Sequence, residues 1–142
     1  MRAEIDRAIA GGEMEVLARF LVGERTSSVR YAARRLAERA AEAGMLSQTA
    51  VELAEHAEPV LRQLAALLGH DAYPDAPDQT IALLRGLADD EEPPVRDAAS
   101  ESTGRLLDAQ FPGVAPRVEP WRDDSSPNVR HALLAAVVRA AR

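Results

Sequence analysis

The feature that most limits how this chain can fold is a short motif that returns at a nearly fixed interval. An apolar residue followed by arginine occurs as Val29-Arg30, Leu61-Arg62, Val95-Arg96 and Val129-Arg130, at spacings of 32, 34 and 34. Such self-similarity marks an array of equal supersecondary units, each hiding its apolar face against the next.

The surrounding pattern says what the unit is. After each anchor, apolar residues recur three, four, seven and eight positions on: Ala32, Ala33, Leu36 and Ala37 in the first copy, Ala132, Leu133, Ala136 and Val137 in the last. Leu64, Ala65 and Leu68 continue the second copy; Ala98, Ala99, Ser102, Thr103, Leu106 and Leu107 continue the third. This is the stripe of an amphipathic helix. Upstream, the position eight before each anchor holds Leu21, Leu53, Leu87 and Trp121, and the position eleven before holds Ala18, Ala50, Leu84 and Val118. A second helix is therefore predicted in every unit. The intervening "GERTSS", "HAEP", "DDEEPP" and "DDSSPN" carry turn and helix-start residues.

Sustained apolar–polar alternation is missing and aromatics are only 4% of residues, so no strand is predicted. The expected fold is all-α: a short right-handed α-solenoid, or α-α superhelix, of about four helical hairpins. It forms one domain over 1–142, with hairpins near 13–44, 45–70, 77–109 and 113–142 and an N-terminal capping helix at 1–11. Residues 69–78, "GHDAYPDAPD", read as a long loop, and Pro116 and Pro120 predict a short or bent first helix in the last hairpin.

Composition excludes several function classes. With no cysteine, neither a disulfide framework nor a thiolate metal site is available. All 17 basic residues are arginine, a bias that reads as bacterial, high-GC ancestry, and the net charge of −6 argues against general nucleic-acid binding. The first residues mix acids with apolar side chains, which is no secretory signal, and no run is long enough for a membrane span, so a cytoplasmic protein is expected.

The motif of turn acids, then Ser or Pro, then Val-Arg, then alanine at helical spacing resembles HEAT and HEAT-like, armadillo-like helical repeats over residues 13–142. The resemblance implies that a turn acid bonds the arginine of the same or the next unit. Glu24, Glu55, Asp89 with Asp90, and Asp123 with Asp124 would pair with Arg30, Arg62, Arg96 and Arg130. These arginines, with Asp90 and Asp124, are read as a structural ladder, because a feature present in every unit suits architecture better than one active site.

Relatives of this kind also suggest functions. HEAT-like DNA alkylation-repair glycosylases are implied to hold a damaged nucleotide with aromatic and acidic residues, which would enlist Trp121 and Asp124. Yet Trp121 fills the slot of three leucines, which makes it core. HEAT-repeat hydroxylases are implied to carry repeated His-Glu pairs, whereas this chain has only the reversed Glu55-His56. A lyase-like or chaperone role is suggested by similar repeats in bilin lyases. Asp71, Asp75 and Asp78 lack the spacing of a calcium loop. No catalytic, cofactor-binding or metal residue is assigned, and the chain reads as a non-catalytic protein-binding scaffold. Its DNA-binding, glycosylase-like alternative is kept open. For the scaffold, Tyr31, Arg34, Arg35 and Arg39 are predicted to hold another protein's acidic segment. Leu134 and Val138, on a last helix without a polar outer face, are predicted to meet another chain, which can be a second copy in a homodimer.

Overall fold

Proline placement explains where most helices begin. Pro59, Pro77, Pro93, Pro112 and Pro127 each stand in the first turn of a helix, where no intrahelical N–H is needed and the fixed φ suits the helix. The computed structural model describes residues 1–142 and is all-helical, without a strand. In order, the elements are α1 (Arg2–Ala10), α2 (Met14–Leu21), α3 (Thr26–Glu42), α4 (Leu46–Ala54), α5 (Pro59–Ala72) and α6 (Pro77–Ala88), then α7 (Pro93–Ala109), α8 (Phe111–Val118), a 3-10 turn (Glu119–Asp123) and α9 (Pro127–Ala140).

Helix ends are closed by backbone geometry. Gly44 follows α3 at φ 67°, a conformation that costs glycine nothing; its N–H then reaches the Ala41 carbonyl at 3.1 Å and that of Met45 reaches Ala40 at 2.8 Å. Gly12 ends α1 in the same way. Side-chain N-caps are nearly absent: only Ser126 accepts a bond, from the Val129 N–H at 3.4 Å.

Arginine fastens the turns from the carbonyl side. Nη1 of Arg62, Arg96 and Arg130 donates to the carbonyl six residues back, those of His56 (2.9 Å), Asp90 (2.7 Å) and Asp124 (2.6 Å). The charged donor satisfies turn carbonyls just past the helix ends.

The carboxylates pair differently from the expected ladder. Arg62 spends the rest of its fork on Asp90 in the next turn, at 2.8 and 3.1 Å. Asp124 is taken by Arg85 of α6, at 2.9 and 2.8 Å, and not by Arg96 or Arg130, whose fork reaches only the backbone. Arg30 does not pair with Glu24; it crosses to Glu101 in α7.

Packing follows chain order in one layer: α3 lies against α5, α5 against α7 and α7 against α9, while α4 and α6 back their successors. One core of 39 buried residues runs from Ile5 to Ala136 and contains all four anchors and all four residues eight positions upstream, Trp121 included. α1 rests on α2 and α3 and buries Ile5, Ala8 and Ile9 there. No helix is long and apolar enough to cross a membrane.

The middle of α7 is sandwiched between α5 and α9. Every residue from 98 to 104 is buried. Its hydroxyls find backbone partners: Ser102 Oγ donates to the Ala66 carbonyl of α5 at 2.6 Å and Ser100 Oγ to the Ala132 carbonyl of α9 at 3.1 Å. Small side chains let the backbones approach, and the hydroxyls that remain are not left unpaired.

Two expectations need correction. Residues 69–72 of the predicted loop extend α5, with Gly69 lying so close to α6 that a Cβ there would stand 2.9 Å from Leu84 Cδ2. Val137, assigned to the buried stripe, is 49% exposed, because α9 has a neighbour on one side only. The prolines of the last hairpin do shorten its first helix, which gives way to the 3-10 turn.

Candidate functional site

The residues ten positions after the anchors are Arg39, Asp71, Arg105 and Arg139, on α3, α5, α7 and α9 in turn. They share one helical register, and Asp71, Arg105 and Arg139 stand in a row on consecutive packed helices, whereas Arg39 turns to α1. Two hollows open along that row. The larger, about 790 Å³, lies across α3, α5 and α7, with Arg34, Glu38, Asp71 and Asp75 on its sides and Ala33, Ala37 and Leu67 supplying apolar wall. A smaller one of about 420 Å³ lies between α7 and α9 and is lined by Gly104, Asp108, Arg139 and Arg142. Arg30, Glu101 and Arg105 line both.

The Arg30–Glu101 pair bridges the face of α5 and marks the boundary between the hollows. Two parallel N–H bonds, each 2.5 Å, run from Arg30 Nη1 and Nη2 to the Glu101 carboxylate. Glu101 is only 10% exposed at its side chain and Arg30 49%, so the carboxylate is embedded and the guanidinium is reachable. Arg34 and Arg105 form no ion pair and no hydrogen bond; Arg34 lies 5.8 Å from the centre of the Tyr31 ring. Their forks are thus free for carboxylate or phosphate oxygens.

Other predicted ligands are turned elsewhere. Tyr31 donates its hydroxyl to Asp6 at 2.9 Å, which pushes that hydroxyl above its usual value, and Arg2 covers the ring at 4.5 Å. Arg35 shares Asp6 at 3.2 Å and binds Glu38 at 2.7 Å; Arg39 reaches the Ala10 carbonyl at 3.3 Å. These three side chains fasten α1 to α3, and of the predicted four only Arg34 faces the larger hollow.

Trp121 and Asp124 stand apart. They border a depression formed with Ile81, Arg85 and Arg117 of α6 and α8, and the α3 arginines do not line it. Leu134 and Val138 are 62% and 49% exposed on the outer side of α9.

No family model, curated protein or solved structure matches this chain. No three or more His, Asp or Glu side chains gather to hold a metal ion. His70, at the end of α5, has a buried Nδ1 without a hydrogen bond, 3.8 Å from Asp71. Burial, and then the nearby Arg105 charge, hold it below the usual histidine range. The hollow brings the Arg34 and Arg105 guanidinium forks together with an apolar wall and the Asp71 and Asp75 carboxylates. It suits a segment that carries acidic groups, apolar spacers and a basic group. Arg105 and Arg139 were not singled out in the sequence, although their shared register with Arg39 was the signal that could have found them.

Proposed function

We propose that the chain is a short right-handed solenoid of HEAT-like hairpins that works in the cytoplasm as a non-catalytic protein-binding module. Its ligand is an extended acidic segment of another protein, laid in the hollow across α3, α5 and α7. The observation that carries this reading is the pair of guanidinium groups without an ion pair or hydrogen bond, Arg34 and Arg105, one helical turn beyond Arg30 and Glu101 and beside an apolar wall. The stacking order α3, α5, α7, α9 and the recurrent arginine-to-carbonyl bond at Arg62, Arg96 and Arg130 favour the solenoid assignment.

The test is fluorescence anisotropy of a labelled peptide alternating Glu and Leu, at low and at physiological salt. Binding that weakens with salt and falls at least tenfold, about 1.4 kcal/mol, in the Arg34→Glu/Arg105→Glu protein is expected. Equal binding to both proteins, or none, overturns the assignment. A labelled DNA duplex is titrated in parallel, and lesion-selective, salt-sensitive binding of an abasic duplex would favour the DNA-repair alternative instead.

A further inference from the structure

The hollow between α7 and α9 differs in kind from the larger one beside it. Apart from Gly104 and Ala140, everything that lines it is charged: Arg30, Arg105, Arg139 and Arg142 against Glu101 and Asp108. Glu101 is already served by both Arg30 bonds. The side chains of Arg105, Arg139 and Arg142 make no ion pair and no hydrogen bond, and Asp108 is the one carboxylate of the hollow without a partner. Position nine after the anchor is Glu38, His70 and Val138 in the other hairpins and glycine only in α7, as Gly104. Glycine is unfavourable inside a helix. Here an arginine stem fills the space it leaves, since a Cβ on Gly104 would stand 2.9 Å from Arg139 Cδ and 3.2 Å from Arg139 Cβ. The stem of Arg139 thus lies packed across α7, with its charged head at the hollow.

We infer that this hollow holds a single phosphoryl group, either free inorganic phosphate or a phosphate ester on the segment that the larger hollow binds. Only the second source rests on the binding-module reading. The number of forks selects the ligand. Elsewhere in the chain one arginine fork satisfies one embedded carboxylate, as Arg30 does for Glu101, Arg62 for Asp90 and Arg85 for Asp124. Three forks without a partner exceed what one carboxylate needs. They match a phosphate, which offers three strong acceptor oxygens and about two negative charges. The lining has no aromatic ring and almost no apolar surface, so a nucleobase gains nothing there. A nucleic-acid backbone fits poorly as well, because its next phosphates along the row from α7 to α5 would meet Asp71 and Asp75. Arg30, Glu101 and Arg105 line both hollows, so one ligand can set an acidic segment in the larger and a phosphate ester in the smaller.

The direct test is nuclear magnetic resonance of the intact protein, with sodium phosphate titrated against sodium chloride at constant ionic strength. The ring protons of His70 report on the site, because burial and then the nearby Arg105 charge hold that imidazole below its usual range. Phosphate seated on Arg105 offsets the charge, so the His70 titration midpoint should rise with phosphate and not with chloride. Arg105→Gln should start from a higher midpoint and lose the response, and Arg139→Gln/Arg142→Gln should lose it too. These variants replace exposed side chains, and unchanged circular dichroism verifies their fold. A second arm distinguishes the sources by anisotropy of a labelled Glu/Leu peptide with one serine near either end, free or phosphorylated. If the ester is the source, phosphorylation should tighten binding by about tenfold or more. That gain should vanish in Arg139→Gln/Arg142→Gln, whereas Arg34→Gln should weaken both peptides by the same factor. If inorganic phosphate is the source, His70 responds and phosphorylation changes nothing. A peptide that fails to bind while His70 responds overturns the binding-module reading and leaves the phosphate site standing. The inference itself is overturned if each of the two effects is either absent or unchanged in Arg139→Gln/Arg142→Gln. Tighter binding of plain duplex DNA than of the phosphopeptide would overturn it as well.

Discussion

Arg30 and Glu101, 71 positions apart in sequence, close on each other through two parallel bonds over the face of α5. The relation is asymmetric, since the carboxylate is embedded and the guanidinium is half-exposed. Removing the arginine strands a desolvated charge, whereas removing both charges does not. Arg30→Ala should cost about 2 kcal/mol in urea unfolding. Arg30→Met/Glu101→Met should recover most of that loss. A native-like Arg30→Ala midpoint would mean that the pair is open in solution.

Acid sensitivity should centre on Asp90. Burial alone would push its carboxyl up, but the Arg62 fork and the Glu92 N–H more than offset this and hold it below its usual 3.8. Because the folded value lies below the unfolded one, the stabilisation is complete above about pH 5 and is lost as the pH falls through the folded value. Asp90→Asn should be less stable than the native chain at neutral pH, and the two unfolding midpoints should converge in acid. Midpoints that stay parallel down to about pH 2 would contradict the assigned pairing.

Trp121 fills a slot held elsewhere by Leu21, Leu53 and Leu87, and all four are buried. Trp121→Ala should destabilise by about 3–5 kcal/mol, and Trp121→Leu by roughly half as much, because leucine is native to the slot but smaller than the ring. Thermal unfolding followed by circular dichroism separates the two variants.

Two helical glycines should respond with opposite sign. Gly86 is exposed within α6 and a Cβ there meets nothing within 4 Å, so Gly86→Ala should stabilise by about 0.5–1 kcal/mol through helix propensity. At Gly104 the Cβ would meet Arg139 Cδ at 2.9 Å and the Ala136 carbonyl at 3.1 Å. The side chain can move but the carbonyl cannot, so Gly104→Ala should destabilise by about 1–2 kcal/mol despite the same propensity gain. Urea midpoints of the two variants, measured side by side, decide it.

The helices and their buried faces could be read from the sequence because each helix writes its own periodicity. Val29, Leu61, Val95 and Val129 are buried, as are the upstream Ala18, Ala50, Leu84 and Val118. What could not be read depended on neighbours. Glu101 looks like a solvated residue until α5, α7 and Arg30 are placed around it, and Val137 looks like core until α9 proves to lack an outer neighbour. Tyr31, Arg35 and Arg39 form a cationic cluster in sequence, but Asp6 and the Ala10 carbonyl, on a helix outside the repeat pattern, absorb it. Position ten after the anchor is the intermediate case: the register was visible, and only the stacked geometry showed that Asp71, Arg105 and Arg139 face shared space.

The arginine bonds at the turns come in two kinds that fail under different conditions. Within a turn, Arg96 and Arg130 end on backbone carbonyls, and neither donor nor acceptor changes charge in acid. Between one turn and the next, Arg62 and Arg85 end on the carboxylates of Asp90 and Asp124, which protons neutralise. Acid therefore reaches the joints before it reaches the bends, and an early acid-swollen form of this chain would keep its hairpins while the spacing between them relaxes.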